Sequence, residues 1–460
     1  MDAIDTPGLP AEPPFSIRAR ILTPLGVGGS WDEGDGLVEV DRDGRVAWAA
    51  PASARDPQTP AIDARPMLLL PGLIDLHAHL PQLPVTGTAG FGVRIMDWLP
   101  QVMYPVERGF DGDASRRLSP RYLREFARGG TTLACLYGSV DAEAVDAAFE
   151  AAEAHGIRVV MGQALMDRGR YDDAIPDDRV TEVRLREAAE SCDRWDGRGN
   201  GRLRYCFTPR WALHCSREML RGSAELATDR GAYWQTHIAE DPDEPAAVMA
   251  EFPEALDFLD VYDRAGGLGP RAILAHAVHL NDRELARVGE TRTTLVHCPA
   301  SNVYLGGGIM PLARYRALEL DVGLGSDVAG GFTSSMFGVM QVGAICQNAR
   351  TIFLGDAEGD VGGRLDPFDW LRLASLDGAR CLGLDGTIGS IEAGKDADMI
   401  LVDPAPTSPV PGEPLAAALP DGRSTLARLI FRAHPDMVRA VWVRGRRLPG
   451  PAGWEPGGTA

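Results

Sequence analysis

Eight short apolar runs, each followed by a stretch with helical spacing, constrain this chain more than any other feature. They are MLLLPGLIDLH, TTLACLY, IRVVMGQAL, LRYCFTP, YWQTHIA, AILAHAV, TTLVHCP and VGLGSDV, all between residues 67 and 328. Stretches such as VDAAFEAAEAHG, REMLRGSAELATDRG and DEPAAVMAEFPEALDFLDVYDRAGG carry apolar residues three and four apart and stop at glycine. Strand alternating with helix makes parallel βαβ units. Eight such units match an α/β fold of the (β/α)8 TIM type, whose active sites lie where the strands end. The barrel is expected over residues 67–384.

The flanks, residues 1–66 and 385–460, have a different pattern. From about residue 16, short strands and tight turns dominate, most clearly in GLVEVDRDGRVAWAA, where Asp43-Gly44 supplies a hairpin turn. After about residue 385, GTIGSIEAGKDADMILVDP and VRAVWVRGRRL return to strand-like composition. The two ends are expected to build one small β domain of sandwich type, with the Pro-rich PAPTSPVPGEP as a surface loop.

Charge and cysteine usage narrow the function classes. A net charge of −19 on 460 residues opposes polyanion binding, so no nucleic-acid partner is expected and a small neutral substrate fits better. Seven cysteines, an odd number without a CxxC pair, fit reduced thiols rather than a disulfide framework or a zinc ribbon. The opening MDAIDTPGLPAEPPF is acidic and Pro-rich where a signal peptide is basic and then apolar. No run approaches the ~18 apolar residues of a membrane span. A cytoplasmic protein without a membrane partner is the expectation.

The polar residues at the run ends carry the chemistry. His77 and His79 lie two apart in MLLLPGLIDLHAHLPQ, and alternate residues of a strand point the same way, so they can chelate one metal ion together. An HxH pair alone arises by chance too readily to decide anything. Further along, His237, His276 and Asp327 stand at or near the ends of the fifth, sixth and eighth runs. All five residues fall on one rim of the expected barrel. A purely structural explanation would need a hydrogen-bond partner for each buried imidazole. Three histidines and a carboxylate leave a position for water, the open coordination of a catalytic divalent metal.

Longer words extend this pattern: PGLIDLHAHLPQ, DWLPQVMYPVERGF, FTPRWALHCS, THIAEDPDE, LAHAVHL, HCPASNVYLGGG, VGLGSDVAGGFTSSM and LDGTIGSIEAGKDADMILVDP. With them the chain resembles the amidohydrolase superfamily and, within it, the metal-dependent guanine deaminases of the barrel type. The most specific words are TPRW, HIxE and SDVAGG. The resemblance implies that His77, His79, His237 and Asp327 bind one divalent metal, zinc first, with iron(II) also known among relatives. It implies Glu240, His276 and Asp327 as catalytic residues: Glu240 shuttles a proton to a ring nitrogen, and His276 bonds the attacking water or the developing oxyanion. Gln82 and Arg210 would read the purine edge, Trp211 would cover the base plane, and His237 would adjoin the substrate as well as the metal. Trp211 stands where phenylalanine is expected, which preserves stacking and enlarges the wall. The reaction implied is guanine plus water to xanthine plus ammonia. An aminohydrolase of the same branch, acting on a pterin, an oxidised purine or an aminotriazine, is the alternative. Relatives are commonly dimers, so a homodimer is the assembly implied. A non-catalytic scaffold of this fold is the reading from another class, and the intact set of chemical residues argues against it.

The roles also cohere as chemistry. A metal that lowers the pKa of water to about 7 permits attack on an amidine-like ring carbon at neutral pH. Protonating the neighbouring ring nitrogen keeps negative charge from building up. Among the other histidines, His297 in HCPASN is open between lining the pocket and holding its loop, and His279 reads as structural or as an outer neighbour of the site. His155, His214 and His434 read as surface or helix-end residues without a chemical role. The glycines at 306 to 308 read as loop flexibility, since no GxGxxG or GxxxxGK word exists. A GxSxG elbow and the HxE…PCxxC signature are both missing, which excludes a serine hydrolase and the other zinc deaminase fold.

Overall fold

Runs rich in valine, leucine and isoleucine become strands buried on both faces, as parallel strands between a packed interior and an outer layer of helices must be. The computed structural model describes residues 8–88, 90–172, 175–354, 364–410 and 421–449. Numbered along the chain, the strands are β1 (Phe15–Pro24), β2 (Ser30–Val40), β3 (Val46–Pro51), β4 (Ile62–Pro71), β5 (Leu73–His79), β6 (Thr131–Tyr137), β7 (Arg158–Gly162), β8 (Ala164–Leu165), β9 (Leu203–Pro209), β10 (Tyr233–Ile238), β11 (Ala272–His276), β12 (Thr294–His297), β13 (Val322–Leu324), β14 (Met399–Val402), β15 (Val438–Val443) and β16 (Arg446–Arg447).

Strands β5, β6, β7, β9, β10, β11, β12 and β13 neighbour one another in that order and run parallel. The ring closes between its first and last members: the Asp327 amide donates to the His77 carbonyl at 2.7 Å, and the His79 amide to the Val328 carbonyl at 2.9 Å. Its interior is filled by Ile74, Leu76, Leu133, Cys135, Val160, Cys206, Tyr233, Ile273 and Val296. The barrel is therefore a packed core with chemistry at one end.

Helices follow the strands with the expected punctuation. Ala142–His155 starts on an Asp141 cap and ends at Gly156, and Arg217–Arg230 starts on a Ser216 cap and ends at Gly231. The third stretch with helical spacing divides into Glu244–Glu251 and Phe258–Arg264, with Pro253 between them. Among the described residues no helix is long and apolar enough to cross a membrane.

The run MLLLPGLIDLH proves to be two strands. Met67–Pro71 finishes β4, which pairs with β1 and β14 outside the barrel, and Leu73 begins β5. Gly72 marks the change, and a Cβ there would lie 2.2 Å from Thr132 Oγ1. Both strands are buried, so apolar composition alone could not separate them, and the barrel strand starts later than residue 67. The chain ends form a seven-stranded mixed sheet, β16-β15-β14-β4-β1-β2-β3. Its halves meet across a core that includes Ile17, Val38, Leu69, Met399 and Trp442, and β4 links them by pairing with β1 on one edge and β14 on the other. The expected hairpin joins β2 to β3, with Gly44 at φ 76°. Within PAPTSPVPGEP, Ala405–Thr407 forms a 3-10 turn, and residues 411–414 lie outside the described residues.

Candidate active site

A backbone irregularity aims the first two histidines. Between Asp75 and Ala78 the register of β5 against β6 slips by one residue. Ile74 and Leu76 pack into the barrel interior, but Ala78 belongs to the outer core, so the bulge reverses the alternation and turns His77 and His79 inward. Asp75, buried beside the bulge, accepts from Ser326 Oγ at 2.6 Å and from the Ser326 and His77 amides at 2.9 and 3.2 Å. Positive φ angles recur at the other strand ends: Ala239 at 47°, His276 at 74°, Ala277 at 47° and Asp327 at 47°. Left-handed backbone costs a residue with a side chain roughly 1–2 kcal/mol. Here it gathers around side chains that converge, as strain at functional sites does.

At the barrel mouth, single ligand atoms of His77, His237, His276 and Asp327 all lie within 4.8 Å of one another. His79 joins them, its Nε2 3.1 Å from His237 Nε2 and 3.3 Å from Asp327 Oδ1. His77 Nε2 is 3.2 Å from the same oxygen. Burial lowers the His77 pKa to about 4 and, with the neighbouring imidazoles, holds His237 well below its usual value. Neutral rings offer lone pairs. Burial would raise the Asp327 pKa, but the adjoining His77 and His79 imidazoles outweigh it and hold the carboxyl well below its usual value. His237 Nδ1 bonds the Arg210 carbonyl at 2.6 Å, which leaves Nε2 for the centre of the cluster. The buried His77 Nε2 and His276 Nε2 have no hydrogen-bond partner. Unpartnered nitrogens, neutral rings and an ionised carboxylate make a donor set that fits a divalent cation. Tyr137, on β6, supplies an aromatic floor, its ring 5.1, 4.6 and 4.7 Å from those of His77, His79 and His237.

Glu240 sits beside this cluster on the loop after β10. Its Oε2 is 3.4 Å from His276 Nε2, and its Oε1 is buried without a partner. Burial, with Asp327 nearby, raises its pKa well above its usual value, which favours the protonated form. Glu244 accepts from the Glu240 amide at 2.8 Å and is itself pushed up to about 8 by burial and by Glu240. His276 Nδ1 faces Asn302 Oδ1 at 2.9 Å. With Nδ1 as the donor, Nε2 is the ring nitrogen left facing the cluster.

The cleft above is lined by His79, Gln82, Arg210, Trp211, His237, Glu240, His276 and Asp327 together with Ile95, Trp98, Leu99, His214 and Glu244. Every residue expected to read or cover a substrate thus borders the same space as the histidine cluster. Behind the wall lies a residue that sequence reasoning missed. Glu107, from the short helix Tyr104–Arg108, accepts from Gln82 Nε2 at 2.6 Å and from Arg210 Nη1. Burial would raise its pKa, but the Arg210 guanidinium outweighs it and holds the carboxyl below its usual value. A signal did exist: an arginine at a buried strand end requires a buried anion.

Other histidines fall differently. His214 ends the 3-10 helix Ala212–His214 but is not superficial: it lines the cleft, is buried, and faces Tyr104 OH through Nε2 at 2.7 Å. His155 does end a helix, but it is buried and meets the Pro449 carbonyl at 3.0 Å, whereas His434 is half exposed. His279 Nε2 bonds the Gly307 carbonyl at 2.6 Å and holds that loop. A Cβ at Gly307 would lie 2.5 Å from the Glu240 carbonyl, so this glycine permits close approach to the site. His297 is fully buried, its pKa lowered by burial to about 3, and neither ring nitrogen has a partner.

This arrangement has counterparts. The profile of the amidohydrolase family matches residues 68–448. A protein of Deinococcus radiodurans described as a probable guanine deaminase is 37% identical over 424 residues, covering 89% of this chain and 92% of that protein. The guanine deaminase of Escherichia coli K12 is 33% identical over 379 residues, covering 81% of this chain and 82% of its own length. Among solved structures, guanine deaminase from Bradyrhizobium japonicum superposes with a TM-score of 0.85 at 27% identity, covering 95% of this chain and 99% of that one.

Proposed function

The chain belongs to the amidohydrolase family, and on that premise we propose that it deaminates guanine hydrolytically, giving xanthine and ammonia. One observation carries this reading: a cation-ready cluster, a buried carboxyl whose pKa is raised and the donor pair Gln82 and Arg210 border a single cleft. We assign His77, His79, His237 and Asp327 as ligands of one divalent ion, zinc before iron(II). Such an ion supplies Lewis acidity and makes water nucleophilic near pH 7.

The remaining steps fall to side chains. His276 Nε2 accepts a hydrogen bond from the attacking water and so holds it against the ring carbon that bears the amino group. Glu240 gives its proton to the adjacent ring nitrogen, takes one from the attacking water and passes it to the departing amine, and regains the last from the new hydroxyl as the ring carbonyl forms and ammonia leaves. Its burial suits that role, because a carboxyl ionised at neutral pH would have no proton to give. Arg210 and Gln82 donate to acceptors on the purine edge, and Trp211, buried in the wall, covers the base plane.

An assay of xanthine formation from guanine, run beside pterins, 8-oxidised purines and aminotriazines with metal analysis on the same preparation, tests the proposal. Guanine should give the largest kcat/KM with about one divalent ion per chain. A larger kcat/KM for any of the other heterocycles would displace guanine as the substrate.

A further inference from the structure

The purine-reading pair is held by a third residue. Glu107 touches no part of the cleft surface, yet one carboxylate oxygen accepts from Gln82 Nε2 at 2.6 Å and the other from Arg210 Nη1. All three side chains are buried. Gln82 is fixed from its other end as well, its Oε1 accepting from the Ala329 amide at 3.3 Å. Aromatic rings flank the pair: the Arg210 guanidinium lies 5.6 Å from the Tyr104 ring and 5.9 Å from the Tyr171 ring, and the Arg108 Nε bonds the Tyr171 carbonyl at 2.6 Å.

A guanidinium has five N–H donors and a carboxamide two. Occupying one donor of each turns the remaining donors toward the cleft and sets their separation. A buried guanidinium without a counter-charge would also be costly.

We propose that Glu107 is a positioning residue for substrate selection, orienting Arg210 and Gln82 so that their free N–H groups meet the acceptors on one edge of a purine bearing a ring carbonyl. The inference rests on the base-reading roles given above to Arg210 and Gln82. Because Glu107 acts through those side chains, its loss should weaken discrimination and substrate affinity and leave the metal cluster and the proton transfer by Glu240 nearly untouched.

The decisive quantity is the ratio of Ki for 2-aminopurine, as a competitor against guanine, to KM for guanine, since 2-aminopurine keeps the amine and lacks the carbonyl oxygen. It is to be measured in the parent and in Arg210→Met, Glu107→Asp, Glu107→Gln and the Glu107→Gln/Arg210→Met double variant, each with metal content determined. Glu107→Asp retains the counter-charge that folding needs but is one methylene too short to hold both partners. Both Glu107 variants should lower the ratio by about tenfold or more, mainly through KM, with parental metal content and kcat within about threefold. In the Arg210→Met background, adding Glu107→Gln should change the ratio by less than about twofold, since the side chain it acts through is gone. A parental ratio in Glu107→Asp would overturn the inference, as would a further large fall in the double variant. An unchanged ratio in Arg210→Met itself would instead overturn the base-reading assignment on which the inference stands.

Discussion

A carboxyl group 3.4 Å from His276, buried and close to Asp327, favours its protonated form because burial and like charge both oppose ionisation. Glu240→Gln is nearly isosteric and cannot exchange that proton, so kcat should fall by about 10² or more while bound metal stays at the parental level. Parental kcat in that variant would remove Glu240 from the proton path. Asp327 supplies the cluster's one ionised oxygen donor, and Asp327→Ala should strip the protein of its ion, with metal analysis as the readout. Full occupancy together with normal turnover would exclude it as a ligand. The residues that gather here were legible because each ends an apolar run or closes a motif word. Glu107, Tyr137, Trp98, Asn302 and His214 were not, for a common reason. Four of them sit on short helices and Tyr137 is an aromatic at the end of a strand, and in none does spacing or residue type distinguish a partner of the site from an ordinary packed or solvated side chain. Their places depend on how loops fold over the barrel mouth, and that is decided by tertiary packing.

Elements were more legible than contacts. The words TTLACLY and LRYCFTP coincide with β6 and β9 residue for residue, since β-branched and aromatic residues flanked by turn and helix signals admit few other readings. Two features escaped: the bulge that reverses the facing of β5, which leaves no mark in the composition of the strand, and the helix Met336–Leu354, whose only charged residue is Arg350. Packed on several sides, that helix lacks the polar face by which periodicity is recognised. The end of the helix Ala142–His155 shows burial overriding the helix dipole. A C-terminal histidine is normally stabilised as a cation by about 0.3–1 kcal/mol, but burial lowers the His155 pKa to about 4. In the unfolded chain it titrates near 6.5. The unfolded state therefore binds the proton first on acidification. The stabilising contribution of the neutral ring is complete above about pH 6.5 and lost as the pH falls toward about 4, a change of roughly 3 kcal/mol. His155→Gln retains a donor for the Pro449 carbonyl and cannot titrate, so its unfolding free energy should fall less steeply than the parent's across that window. Parallel denaturation curves at pH 7 and pH 5 would show that His155 does not contribute to acid lability.

At the scale of the whole molecule, the barrel and the terminal sheet meet through buried charge. Arg158, the first residue of β7, donates from Nε to Asp398 at 2.6 Å and from Nη2 to Asp396 at 2.6 Å, and Arg444 Nε reaches Asp396 at 2.8 Å. Asp398 also accepts from the Arg444 amide at 2.9 Å, and its carbonyl accepts from the Gly72 amide at 2.9 Å, where the chain passes from sheet to barrel. The GKDADMI word, which reads in sequence as a strand signal, therefore supplies two carboxylates to a seam that crosses from β14 to β7. Arg158 and Asp398 are 4% and 3% exposed, so neither charge can turn to solvent when its partner is removed. Arg158→Met should leave two buried carboxylates short of a cation and cost about 3–5 kcal/mol in unfolding free energy. Adding Asp396→Asn and Asp398→Asn removes the stranded charges, and this triple variant should recover much of that loss even though every ion pair to Arg158 is gone. Since the seam lies at the opposite end of β7 from the cleft, kcat of the folded fraction should stay near the parental value in both variants. Denaturant unfolding of the three proteins decides the matter: a triple variant less stable than Arg158→Met alone would mean that the carboxylates hold the seam by hydrogen bonds to Arg444 and the backbone, independently of Arg158.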